Sequence, residues 1–186
     1  TNNTEAMRIT AAGSVGIGTS SPNRSLTIED GDVQIHETGT TNDPILNFSV
    51  GGTQSSPTQS WSMRIDNSDG DKFQLMDVTD SRIVLTADSS GNVGIGTSSP
   101  SSYNSAGDNL VIAETSGGAG LTLASSTSGS GHILFADGTS GTGAYDGFIR
   151  FDHTTSSMRF ATGSGVERLR IDSSGNVGIG TSSPVS

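Results

Sequence analysis

The stretch "GNVGIGTSSP" fills residues 91–100 and returns letter for letter at 175–184, and a close variant, "GSVGIGTSSP", fills 13–22. A phosphate loop, a flexible linker and a repeated structural joint would each look glycine-rich. Spacing separates them. "VGIGTSSP" begins at Val15, Val93 and Val177, in steps of 78 and 84 residues, which are domain-sized and longer than the usual solenoid periods. The intervals between the phrases also resemble each other in order. "SLTIEDGDVQIHE" and "ILNFSV" answer to "NLVIAETSGGAGLTLAS" and "HILFAD", and "WSMRIDNSDGDKFQLMDV" answers to "DGFIRFDHTTSSMRFATG". The approach recurs as "EAMRITAAGSVGIG", "SRIVLTADSSGNVGIG" and "ERLRIDSSGNVGIG". This divides the chain into the end of a preceding module (1–22), a first full module (23–100) and a second (101–186), with both ends cutting into the repeated phrase, so the chain reads as a segment of something longer.

Each matched segment is short, often alternates apolar with polar residues, and is bounded by Gly, Ser, Asn, Asp or Thr, the pattern of strands joined by turns. "FIRFD" puts Phe148, Arg150 and Asp152 on one face and Ile149 and Phe151 on the other. No stretch carries a helical stripe with caps, so the expected fold class is all-β with almost no helix. Within the phrase, "RIDSSGNVGIG" predicts a strand through Ile171, a tight turn over 172–176 and a return strand from Val177. Gly175 can supply positive φ there, and Asp172 and Asn176 favour the same geometry. The return strand alternates branched aliphatics with glycines, so Val15, Ile17, Val93, Ile95, Val177 and Ile179 call for an apolar neighbour. Gly16, Gly18, Gly94, Gly96, Gly178 and Gly180 permit a backbone to pass close by. Three chains around a common axis would supply both neighbours, with the aliphatic pairs packed on that axis. Pro184 ends the strand. The six-residue difference between modules should lie in loops, at 101–109 and 125–131.

Leu, Ile, Val and Phe make up only 38 of 186 residues, close to the one-fifth level below which chains tend to disorder. The strands are nonetheless clearly patterned, so burial between several chains explains a thin core better than disorder does. A formal charge of −10 with Lys72 as the single lysine argues against nucleic acid and anionic membrane surfaces as partners. Cysteine is absent, which removes disulfides and thiolate metal sites, and no apolar run approaches the roughly 18 residues of a membrane span.

Chemistry-bearing patterns are weak by comparison. "GIGTSS" lacks the third glycine, following helix and acidic ribose ligand of a dinucleotide fingerprint, and "GTSSP" lacks the lysine of a phosphate loop. His36, His132 and His153 are scattered without metal-ligand spacing. Asp66, Asp69 and Asp71 in "DNSDGD" could cage calcium, but the second module keeps one acid in "DHTTSS" and a solvated turn explains both copies. Glycan hydrolysis by paired acids would want sugar-stacking aromatics, and Trp61, Tyr103 and Tyr145 hold no common place in the repeat. Catalytic, cofactor and metal assignments are therefore none. The sequons at Asn2, Asn23 and Asn47 read as chance matches in a Ser/Thr-rich chain. Arg8 and Arg170 share a repeat position, read as a salt bridge or carbonyl contact between chains.

The phrase "ERLRIDSSGNVGIGTSSP" at 167–184 resembles the repeat of bacteriophage tail-fibre proteins, notably those of marine phages, and "HILFADGTSGTGAYDGFIRFDHTTSSMRFATGSG" at 132–165 resembles the body of the same repeat. The resemblance covers nearly all of the second module, with the first a more divergent copy. It implies an elongated homotrimeric fibre shaft in the virion, outside the cell once the particle is released, that presents a distal receptor-binding tip for host attachment. In that family a self-cleaving chaperone domain often follows; none is visible here. The implied partners are the chain itself and adjoining fibre segments or tail proteins. The alternatives are the stalk of a bacterial trimeric surface adhesin and a tailspike-like glycan depolymerase segment.

Overall fold

A computed structural model describes residues 6–29, 32–38, 42–114 and 116–185. The described residues form fourteen short strands: β1 (Met7–Ile9), β2 (Val15–Ile17), β3 (Leu26–Ile28), β4 (Ile45–Val50), β5 (Gln59–Asp66), β6 (Lys72–Asp77), β7 (Arg82–Ala87), β8 (Val93–Ile95), β9 (Leu110–Ile112), β10 (Ser130–Phe135), β11 (Gly147–Asp152), β12 (Ser157–Thr162), β13 (Val166–Ile171) and β14 (Val177–Ile179). Among the described residues, helical geometry is confined to three short 3-10 stretches, Asn67–Asp69, Pro100–Ser102 and Gly141–Tyr145. The fold is all-β. The chain divides into two compact units, Thr1–Ala119 and Gly120–Ser186.

The first unit holds a three-stranded sheet in the order β1-β2-β3 and a six-stranded sheet in the order β4-β5-β6-β7-β8-β9; the second holds one sheet in the order β10-β11-β12-β13-β14. β4 to β8 and β10 to β14 are both antiparallel meanders. Both break register at the same rung, between Leu75 and Met76 in one and between Phe160 and Ala161 in the other. A bulge at one matched position twists each sheet locally. The sheets differ at the end: β3 joins β2, and β9 joins β8, in parallel register. The sequence boundary at 100/101 thus falls inside the six-stranded sheet, because the strand after the phrase completes the sheet before it. Loops absorb the difference in length. Leu26 pairs with Val15 eleven positions earlier, whereas Leu110 pairs with Val93 seventeen earlier, and the six extra residues lie in the loop that carries the turn Pro100–Ser102.

Register sorts each meander into two unlike faces. In the first, Phe48 opposes Trp61, Leu46 opposes Met63, Ile65 opposes Phe73, Leu75 opposes Leu85 and Leu85 opposes Ile95, all on one pleat face. In the second, Ile133 opposes Ile149, Ile149 opposes Phe160, Phe160 opposes Leu169 and Leu169 opposes Ile179. Most of these apolar side chains remain open to solvent, reaching 55% exposure at Phe48 and 80% at Ile179. On the opposite face the covered side chains are mostly polar: Ser62 (2% exposed), Gln74, Thr86 and Ser157 are buried there, while Ile45 and Leu134 stay exposed on it. Among the described residues only Val111 and Ala161 are buried hydrophobic side chains. A single chain therefore folds with its dry side outward.

Candidate functional site

The repeated phrase forms the same corner three times. Asp172 N–H donates to the Asn176 carbonyl (3.0 Å) and Gly175 N–H to the Asp172 carbonyl (3.1 Å). The Asp172 carboxylate accepts from the amides of Ser174 and Asn176, both 2.9 Å, and from the Asn176 side chain at 3.2 Å. Asp88 repeats this pattern with Ser90 and Asn92. In the first copy Thr10 replaces the acid, its hydroxyl accepting from Ser14 N–H at 3.1 Å. Gly13, Gly91 and Gly175 all take left-handed φ of 83–88°, which a Cβ would strain. Amide donation, first of all from Asn92 and from Asn176, holds the Asp88 and Asp172 carboxyls below their ordinary value of 3.8.

After the return strand the chain folds back over its own glycines. A Cβ on Gly16, Gly94 or Gly178 would lie 2.5–2.7 Å from the carbonyl oxygen of Thr19, Thr97 or Thr181, with the ring of Pro22, Pro100 or Pro184 next to it. Thr19, Thr97 and Thr181 each accept the amide two residues on, at 3.1–3.2 Å, through their hydroxyls, the side-chain-to-backbone turn that Thr favours. The close neighbour of these three glycines is thus a loop of the same chain. The close approach of a backbone or turn expected at these glycines is made within the chain, so no second chain is needed on that side. Gly18, Gly96 and Gly180 have a further role, turning the chain with φ of 70–74°. A Cβ on Gly18 would lie 2.5 Å from the Glu29 carbonyl oxygen, and one on Gly96 would strike that of Ala113, while Gly180 meets nothing within 4 Å.

Beside this corner runs a polar row across each sheet. In the first meander Arg64 opposes Gln74, Gln74 opposes Thr86 and Thr86 opposes Gly94. Arg64 donates to Asp43 (3.3 Å), Asp66 (2.9 Å) and the side-chain oxygen Oε1 of Gln74 (2.8 and 3.0 Å). In the second, Arg150 opposes Arg159, Arg159 opposes Arg170 and Arg170 opposes Gly178. Arg159 pairs with Asp152 (3.0 Å) and lies 3.8 Å from Glu167; Arg170 grips Glu167 with two bonds of 2.7 and 2.8 Å. Arg150 Nε is buried without a partner, and its guanidinium lies 5.2 Å from the Phe148 ring centroid. The Arg170 hydrogen bond holds Glu167 below its ordinary value of 4.5 and raises Arg170 in turn. Arg159 is lowered by burial, then by Arg170 and Arg150 nearby. Within the chain, Arg170 is partnered by Glu167; Arg8 lies opposite Gly16.

The aliphatic pairs of the phrase occupy the apolar face. Val93 opposes Ala87 and Leu110, Ile95 opposes Leu85 and Ile112, and Val177 opposes Ile171. Val15 and Ile17 stand the same way beside Ile9 and Met7.

The remaining candidate residues stay apart. His132 meets the Phe148 ring edge-on at 6.3 Å, His153 meets Phe151 at 5.0 Å, and His36 is exposed in a segment without regular structure. Asp66 is engaged by Arg64 and Ser68, and Asp69 by Lys72 at 2.8 Å. Lys72 also donates to the Ser98 carbonyl at 3.0 Å, latching the loop of the phrase. No three His, Asp or Glu side chains among the described residues converge as a metal cluster would. Trp61 lies on β5, Tyr103 in the loop beyond Pro100–Ser102, and Tyr145 closes its own short turn. Asn23 and Asn47 are exposed, and Asn2 lies outside the described residues. Clefts are open and shallow; one is lined by Tyr145, Phe148, Arg150 and Glu167, another by Trp61, Ile83, Ile95 and Ala113. Reading the sequence missed the arginine row and the parallel strand. The row could have been found by setting "FIRFD", "SMRFA" and "LRID" side by side, since each carries Arg at the same pleat position.

No protein-family model matches the chain, and no curated protein matches it either.

Proposed function

We propose that this chain is a structural segment of a homotrimeric fibre, the shaft of a phage tail fibre, in which three copies close their apolar sheet faces against one another and the work is mechanical. The observation that carries the reading is the inverted burial of each meander. Large apolar side chains line one face and most stay open, while the side chains buried on the other face are mostly polar. Burying one Leu, Ile or Phe side chain contributes about 1.5–3 kcal/mol. Contiguous apolar patches of this kind mark interaction surfaces. Within each unit a threefold axis would gather the aliphatic pair, Val93 and Ile95 or Val177 and Ile179, against its symmetry mates. The repeated corner supports the same reading, because it makes a stiff, self-covered joint rather than a ligand loop. The acidic charge and the resemblance of residues 132–184 to tail-fibre repeats agree with a virion component. The test is the symmetry of the native assembly by electron microscopy. Threefold particles with the meanders facing the axis support the reading, and isolated folded chains overturn it.

A further inference from the structure

The phrase at 175–184 is identical to that at 91–100, yet its outer edge is differently placed. Gly180 N–H donates to the Arg168 carbonyl (2.9 Å) and Asp172 N–H to the Asn176 carbonyl. Ladder alternation then turns the amide and carbonyl groups of Val177 and Ile179 away from β13. In the two other copies the equivalent groups are taken. Val15 N–H donates to the Ser25 carbonyl (2.8 Å) and Glu29 N–H to the Ile17 carbonyl (3.0 Å); Val93 N–H donates to the Asn109 carbonyl and Ala113 N–H to the Ile95 carbonyl, both 2.9 Å. The strands that bind there, "SLTIE" and "NLVIAE", share Leu-x-Ile, a polar residue before it and Glu within two residues after it. Their Leu and Ile fall beside the Val and Ile of the phrase, and their middle residue falls beside its glycine.

We infer that the open edge of β14 is a docking site for one parallel strand of the Leu-x-Ile type, carried by another repeat of this kind. Three features of the edge match such an occupant. Its backbone groups, without a partner among the described residues, lie at the spacing that β3 and β9 satisfy elsewhere. Val177 and Ile179 stand 58% and 80% exposed, where the incoming Leu and Ile would cover them. Gly180 already holds its left-handed φ of 70°, with open space where Gly18 and Gly96 meet the carbonyl of Glu29 and Ala113. Recognition is by strand addition: main-chain hydrogen bonds supply attachment and alternate side chains supply selection. The site joins repeats end to end and acts within one chain as well as within a trimer, so it does not rest on the proposed symmetry.

The test grafts a second copy of residues 101–114 after Pro184 in the full chain, where the preceding ten residues match the native context of that segment. A tether of this length gives millimolar effective concentration. Amide hydrogen exchange at Val177 should slow about tenfold or more relative to the ungrafted chain. A graft carrying Leu110→Asp and Ile112→Asp in the added copy should leave it unchanged. Equal exchange at Val177 in the two grafts overturns the inference. As a second measurement, the free peptide of residues 107–114 added at millimolar concentration should protect Val177 in the ungrafted chain, and failure of both peptide and graft overturns it again. The molar mass of the same samples reports the trimer separately.

Discussion

The two meanders have the same strand order, the same bulge and the same corner, yet they fill their polar rows with opposite chemistry. Arg64, Gln74 and Thr86 form a row with one charge, satisfied by Asp43, Asp66 and Gln74 Oε1. Gln74 and Thr86 are fully buried, and Gln74 Nε2 and Thr86 Oγ1 are left without partners. Arg150, Arg159 and Arg170 form a row of three like charges held by two carboxylates, Asp152 and Glu167. A backbone ladder thus fixes position without fixing chemistry. What the two rows share is the glycine at the end, Gly94 or Gly178, because the loop folding back over it leaves no room for a side chain.

That shared element should give the largest effect. Gly94→Val and Gly178→Val each drive a side chain into a threonine carbonyl already 2.7 Å from the Cβ position. Each should destabilise its module by about 3 kcal/mol, the upper range for overpacking. Denaturant unfolding that shows one harmless and one severe would break the equivalence of the corners.

Removing a charge should separate the rows. Glu167→Gln leaves three arginines facing Asp152 alone, and should cost about 2 kcal/mol, the scale for losing a charged hydrogen-bond partner that is partly screened by solvent. Hydrogen exchange should place the loss in β12 and β13 rather than in β6 and β7.

Acid should act on the second row in the same direction. Glu167 is depressed below 4.5 by Arg170, so its contribution is fully present above that value and is lost as pH falls through the lower folded value. Asp88 and Asp172, depressed below 3.8 by equivalent turns, add a fall common to both modules. Unfolding midpoints measured from neutral pH down to pH 2 should decline less steeply below pH 4.5 in Glu167→Gln than in the native chain.

The smallest effect has the opposite sign. Thr86→Val removes an unpaired buried hydroxyl while keeping the shape, and should stabilise the first module by up to about 1 kcal/mol. A loss of stability would mean that the hydroxyl has a partner in the assembled protein.

Alternation and turn residues made the strands around the phrase legible in the sequence. "RIDSSGNVGI" supplies a period of two on each side of an Asp-to-Asn turn, so a strand ending at Ile171 and another starting at Val177 follow from local chemistry alone. What covers the glycines was not legible. The sequence shows which face lacks side chains, but the Thr-Ser-Ser-Pro loop returns over it through backbone turns and a hydroxyl bond that no apolar pattern announces. The parallel partner was hidden too, because β3 and β9 are three residues each. Their pairing spans a loop of different length in the two copies. Aligning the three Arg-bearing segments shows the row, but counting from the turn between β12 and β13 brings Arg159 opposite Arg170 only once the bulge between Phe160 and Ala161 is known.

Both meanders turn an apolar face to solvent in the single chain, and the account stands on other copies of the chain covering it. Light scattering on the purified native chain tests this most directly, with Ile95→Asp beside it. The account predicts a native particle of three times the 18.9 kDa chain mass, and a smaller or unfolded species for Ile95→Asp, whose three carboxylates would be forced together away from water. A folded native species of 18.9 kDa, or an Ile95→Asp trimer as stable as the native one, would contradict it.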